Sequence, residues 1–317
     1  MAISPRKLKV GNKVAIVAPS SPFKSDELQE GLDTIASLGL IPVLGQNVKN
    51  LHVRSIHAAS TQARAEELMW AFSSPDISAV ISAVGGFGCA EILPFLDYKK
   101  IAASKRIFIA KSDGTALNNA IYSKADLINF SAQTPCLHLD KGERAYEASI
   151  RSLVHVLRMC MDDATWEDRS FAINDLMPRT INGGKASGVA VGGNLDTFSR
   201  LIGTKFLPET KKCILFIEDV HKGSTSIARM LLHLKLSGIL EKVSGVVVGE
   251  FSEVPAKKDE RDPSIEDVLL EYLGDDMPVV YGYSFSHGLH VCPIPIGAMT
   301  YLDADARSIN FRFRMSS

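Results

Sequence analysis

Several things are scarce in this 317-residue chain, and each scarcity excludes a class of protein. No apolar run approaches the ~18 residues of a membrane-spanning helix. The opening MAISPRKLKVGNKVAIVAPSSP has neither the apolar core nor the Ala-x-Ala site of a secretion signal. Basic charge is not in excess: 35 Lys and Arg stand against 36 Asp and Glu, for a net charge of -1. A nucleic-acid binder would carry a basic surplus or stripe, so that class is set aside. The densest charge run, KKDERD at 257–262, mixes both signs and reads as a solvated loop. The five cysteines (Cys89, Cys136, Cys160, Cys213, Cys292) are odd in number, widely spaced and free of any C-x-x-C pair. They suit a reduced, cytoplasmic protein with buried thiols, and no disulfide framework is expected. The dinucleotide fingerprint G-x-G-x-x-G is missing, as is the G-x-S-x-G elbow of the common hydrolases. Internal repeats and low-complexity segments are absent too.

What is present is ordinary globular material, 46% hydrophobic and 22% charged, enough for two cores. The first half alternates short apolar runs with helical patterns. KVAIVAP, IPVLG, ISAVISAV and RIFIA read as strands. SDELQEGLDTIASLGL places Leu28, Leu32, Ile35 and Leu38 on one helical face, with Gly39 as the stop. TQARAEELMWAFSSPD and CAEILPFLD are further helical pieces. Strands apolar throughout and separated by helices predict a parallel sheet covered on both faces, with ligands at the carboxyl ends of its strands. A long amphipathic helix follows in ERAYEASIRSLVHVLRMCM, with Ile150, Leu153, Val154 and Leu157 on one face. DDATWEDRSFAINDLMPRTINGGKASG then loses all periodicity. The expected division is therefore an N-terminal domain over 1–165, a linker over 166–182 and a C-terminal domain over 183–317. The second half shows strands at CILFIED, VSGVVVGEF and MPVVYGY, and MTYLDADARSINFRF reads as a hairpin.

Four strings carry residues capable of chemistry. FIAKSDGTAL puts Ser112 where a strand hands over to a helix. It reads either as an N-cap or as a nucleophile held on a tight turn beside backbone amides. AVGGFGCAE is a glycine-rich turn directly after a strand, able to aim an amide at a reacting oxygen. LFIEDVHKG ends a strand with Glu218 and Asp219, which face opposite sides, so at most one points into a common site. YSFSHGLHVCPIPIG places His287 and His290 in a loop. A zinc pair there lacks a third ligand with sensible spacing, so no metal is expected. One loop histidine as a general base is the better reading. Together the strings supply a hydroxyl, a carboxylate, an imidazole and glycine-lined amides, the parts of an acyl-transfer site.

The order of VAIVAPSSP, ARAEELMWAFSSPDISAVIS, GGFGCAEILPFLDY, KSDGTAL, GGNLDTFSRLIGTKFLP, LFIED and SHGLHVCPIPIGA resembles the LD-carboxypeptidase family of serine peptidases, over nearly the whole chain. That family includes murein tetrapeptide LD-carboxypeptidases and microcin C self-immunity hydrolases. The resemblance implies an α/β fold: a Rossmann-like, amidotransferase-like N-terminal parallel-sheet domain plus a smaller C-terminal α/β domain. It implies Ser112 as nucleophile, His287 as general base and Glu218 as the group that orients it. The amides of Gly86 and Asp113 would form the oxyanion hole. It further implies no cofactor and a homodimer, acting on a small peptide or a peptidyl-nucleotide. Val84 stands where murein enzymes of the family typically carry Arg, and Ala110-Lys111 replaces the usual Gly-Tyr before the serine. Val84 and the ATWEDRSFAIND segment lie closer to the microcin-immunity branch. Lys111 is then a candidate contact for a substrate carboxylate or phosphate, or else a solvated surface residue. A catalytically silent binding protein on this scaffold is the rival of another class.

Overall fold

The computed structural model describes residues 2–51, 56–137, 142–162, 169–170, 178–255, 262–273, 277–285, 287 and 291–316. The expected linker falls largely outside them, as do ATWEDRSFAIND for the most part, most of the charged run 257–262, and His290. In the first half, Lys13–Val17 (β1) leads through Ser25–Ser37 (α1) to Ile41–Leu44 (β2). Gln46–Lys49 (α2) and Thr61–Ser73 (α3) precede Ile77–Ser82 (β3). Cys89–Ile92 (α4) and Tyr98–Ser104 (α5) bring the chain to Ile107–Ala110 (β4), Thr115–Ala125 (α6) and Asn129–Ser131 (β5). Glu143–Met161 (α7) follows. The second half runs Arg169–Ser170 (β6), Arg179–Asn182 (β7), Lys185–Asn194 (β8), Leu195–Ser199 (α8), Cys213–Val220 (β9) and Ser224–Leu236 (α9). It continues with Gly245–Ser252 (β10), Ile265–Leu273 (α10), Val279–Tyr283 (β11), Ile294–Ile296 (β12), Met299–Asp303 (β13) and Ser308–Arg312 (β14).

Among the described residues the first sheet has the order β12-β5-β4-β3-β1-β2. Strands β1 to β5 are parallel, and β12 adds antiparallel to β5. Val14 to Val17, Val80, Ile81 and Ile107 to Ala110 have no exposed surface, as strands covered on both faces require. The chain moves from β1 outward to β2, then returns past β1 to β3, β4 and β5. That reversal is a topological switch point, where the loops after neighbouring strands diverge and leave a crevice. The loops after β1, β3 and β4 share this carboxyl-end rim.

The second sheet has the order β6-β14-β13-β8-β9-β10-β11-β7. Its centre, β8 to β11, is parallel, and the flanking strands are antiparallel. The predicted hairpin is β13–β14. One apolar core runs through both halves, joining Ile16 and Ile109 to Phe216 and Phe311. In α7 the fully buried stripe is Leu153, Val156, Leu157 and Cys160, with Ile150 and Val154 only half-buried. The buried face is thus offset slightly from the expected one.

Two side chains of α6 stitch the halves together. Asn119 donates from Nδ2 to the Gly192 carbonyl at 2.8 Å and accepts from the Gly192 amide at 3.0 Å. Thr115 Oγ1 accepts from the Asn194 amide at 3.0 Å. Both residues are fully buried, where an unmade hydrogen bond is costly, so these contacts set the register between the helix after Ser112 and the end of β8.

Candidate active site

Ser112 lies immediately beyond β4 and has φ +58°, a left-handed conformation that non-glycine residues rarely adopt. The capping reading fails. Helix α6 starts at Thr115 with Gly114 as its cap, and neither it nor the single 3-10 turn at Ser112–Gly114 has a side-chain cap bond. The bend is tight enough that a Cβ on Gly114 would lie 2.5 Å from Ala110 Cβ. Ala110 and Gly114, the small residues two before and two after the serine, leave room for this bend although the G-x-S-x-G motif is absent.

The glycine turn after β3 approaches this bend closely. A Cβ on Gly85 would stand 2.7 Å from Ser112 Cβ, and one on Gly86, at φ +111°, would collide with the Ser21 side chain. Ser21 Oγ accepts from the Phe87 amide at 3.0 Å. The Asp113 carboxylate is buried and accepts through Oδ2 from Ser20 Oγ at 2.5 Å and from the Cys89 amide at 2.8 Å. Gly86 and Asp113 therefore sit on two turns that share partners in the segment after β1.

Across the domain boundary, Glu218 near the end of β9 has no exposed surface, and its Oε2 lies 2.7 Å from His287 Nδ1. Asn194 Nδ2 donates to Glu218 Oε1 at 3.4 Å and to Asp219 Oδ1 at 3.1 Å. Asp219 shares that Asn194 donor but meets no imidazole among the described residues, and it accepts from the amides of Asp196 at 2.9 Å and Val220 at 2.8 Å. Burial pushes the Asp219 carboxyl above the ordinary range, and those two amides offset part of the rise. Asp219 is thus a buried brace for β9 and α8. The relay Thr115–Asn194–Glu218–His287 links the helix behind Ser112 to the imidazole.

Lys111 is buried rather than solvated, and its ammonium donates to Gln133 Oε1 at 2.9 Å. All five cysteines are buried and free. Burial pushes the thiols of Cys213 and Cys292 up to about 12 and also raises Cys89, Cys136 and Cys160, which keeps them protonated and unreactive. Among the described residues no three His, Cys, Asp or Glu side chains group as metal ligands, and no helix is long and apolar enough to cross a membrane. Reading the sequence missed Asn194, whose one legible signal is an Asn just before a helix; its Oδ1 caps α8 through the Thr197 amide at 3.1 Å.

Comparison with known proteins agrees with this fold. The family model described as the LD-carboxypeptidase N-terminal domain matches residues 14–132, and that of the LD-carboxypeptidase C-terminal domain matches residues 187–302. The protein is a serine peptidase of two-domain α/β architecture. A probable murein peptide carboxypeptidase of Bacillus subtilis is 32% identical over 299 residues, spanning 93% of this chain and 89% of that protein. The microcin C7 self-immunity protein MccF of Escherichia coli is 30% identical over 330 residues, spanning 96% and 94%. The solved structure of MccF in complex with aspartyl sulfamoyl adenosine aligns with a TM-score of 0.88 at 25% identity, covering 99% of each chain. The chain belongs to the LD-carboxypeptidase family.

Proposed function

We propose that this peptidase acts through a Ser112–His287–Glu218 triad and cleaves the L,D-peptide bond to the terminal D-Ala of murein tetrapeptides. The observation that carries the reading is the contact at 2.7 Å between buried Glu218 and His287 Nδ1. A carboxylate there holds the Nδ1–H tautomer and leaves Nε2 as the base. In the proposed reaction Ser112 Oγ attacks the scissile carbonyl carbon as His287 Nε2 takes its proton. The amides of Gly86 and Asp113 receive the oxyanion. Collapse of the tetrahedral adduct breaks the C–N bond, and the imidazolium protonates the departing D-Ala amine. Water, deprotonated by His287, then attacks the acyl-serine; the tripeptide leaves as a carboxylate and the serine is regenerated.

The test is release of free D-alanine from purified murein tetrapeptide by the wild-type protein. Release supports the carboxypeptidase reading; no release moves the reading to the second one. That second reading, an amide linking an aminoacyl group to a nucleotide, draws on the likeness to MccF and its complex with aspartyl sulfamoyl adenosine. Hydrolysis of that compound but not of the tetrapeptide would select it. The close approach of the glycine turn to the serine makes a further prediction. Gly85→Ala forces Ser112 and the turn apart, and a displacement of about 1 Å is expected to lower kcat roughly 100-fold. Steady-state kinetics on the folded variant checks this, and wild-type kcat would show that the turn yields without moving the serine.

A further inference from the structure

We propose that Arg64 is a positioning residue, one that never touches substrate but holds the loops after β1 and β3 at the spacing the oxyanion hole requires. The inference rests on the catalytic reading above and deepens it. Arg64, in α3, is 0% exposed. Its Nη1 donates to two carbonyls at once, Pro19 at 2.7 Å and Gly88 at 2.8 Å. Its Nε donates to the Ala59 carbonyl at 3.2 Å. Its Nη2 donates to the Glu91 carboxylate at 2.6 Å and to Thr61 Oγ1 at 3.4 Å.

A buried guanidinium is a poor choice for stability alone, because desolvation opposes it and an aliphatic side chain of similar volume often packs as well. What an aliphatic chain cannot supply is a rigid fork of donors aimed at carbonyls on separate loops. The two carbonyls bracket the candidate oxyanion hole. Pro19 precedes Ser20 and Ser21, which bind Asp113 Oδ2 and the Phe87 amide respectively. Gly88 ends the turn that begins at Gly85, and the next amide, of Cys89, returns to Asp113 Oδ2. A ring thus closes through Arg64, Pro19, Ser20, Asp113, Cys89 and Gly88. The two proposed oxyanion donors lie on the segments it ties together. Gly88 has φ +120°, and a Cβ there would stand 2.5 Å from Arg64 Nη1, so the turn is shaped around the guanidinium. An oxyanion hole works only when its donors are already in place, and a shift of the ring would separate them.

The experiment uses the full chain carrying Arg64→Met or Arg64→Lys. A fluorophosphonate titrates the reactive serine to its end point: Ser112 Oγ displaces fluoride from phosphorus, and His287 takes the hydroxyl proton. Turnover is then expressed per titrated site, on whichever of the two substrates the wild type hydrolyses. Arg64→Met is expected to lower kcat per titrated site about 30- to 100-fold, with KM within about threefold, since binding groups are untouched. Arg64→Lys keeps a buried donor and is expected to recover part of the loss. A purely structural role would reduce the number of titratable sites and leave each at wild-type kcat, and that result overturns the proposal. Should Arg64→Met fail to fold, the same ratio measured on Arg64→Lys decides: reduced kcat per site supports the proposal, and wild-type kcat per site rejects it. A wild type inert toward both substrates and the reagent would remove the catalytic reading and this proposal with it. Wild-type turnover matched by both variants removes the proposal alone.

Discussion

Ser112→Ala is expected to lower turnover by roughly 10³- to 10⁶-fold, the range over which loss of a triad nucleophile acts, while leaving the folded state intact. The second half of that expectation is as informative as the first. The Ser112 hydroxyl caps no helix, because α6 begins at Thr115 with Gly114 before it. Removing the hydroxyl therefore strips the fold of no capping bond. Alanine at φ +58° carries the same left-handed strain as serine, so the bend is no more costly after the change. Activity and denaturant unfolding should be measured on one preparation. Lost activity with an unchanged unfolding midpoint supports the nucleophile; global destabilisation would return Ser112 to a structural role.

Glu218→Gln is the second large effect, expected to reduce kcat/KM about 10²- to 10⁴-fold, less than the serine change. The reason is a count of donors. Glu218 is acceptor-only, and its two oxygens receive His287 Nδ1 and Asn194 Nδ2. Glutamine replaces one acceptor by an NH₂ group. If that group faces His287, the ring is held in the tautomer with the proton on Nε2, and the base is lost. If it faces Asn194, two donors oppose each other at a fully buried side chain, and the amide of Asn194 must turn away. Either arrangement disturbs the pair without removing volume, so a folded protein with weak activity is expected. Activity equal to wild type would remove Glu218 from the triad.

Much of this was legible in the residues. The apolar runs of the first half correspond to β1, β2, β3 and β4, because strands buried on both faces must be apolar throughout. The helical periods correspond to α1, α3, α4, α6 and α7; α2 and α5 are not among them. Glu218, Ser112 and the glycine turn were visible as polar or small residues at the ends of apolar runs. Other features were not. Strands β5 and β12 have three residues each, too few to show a period, and they pair across a separation that no local signal encodes. Arg64, in TQARAEELMW, reads as an ordinary charged helix position; only the loops folded over α3 make it interior. Lys111 reads as either a substrate contact or a solvated surface residue, and burial excludes the second of these.

The division has a physical basis. Secondary structure, the handover points from strand to helix, and membership of the family follow from neighbours in sequence and from the order of motifs. Those are properties of the chain itself. Tertiary structure alone decided which carboxylate of Glu218-Asp219 meets an imidazole 69 residues away, and that Asp219 braces the strand instead. It also decided that the serine caps nothing and that an arginine lies inside. Each depends on the partners and burial a side chain acquires from distant segments, and the free energy of burying a polar group is set by those partners.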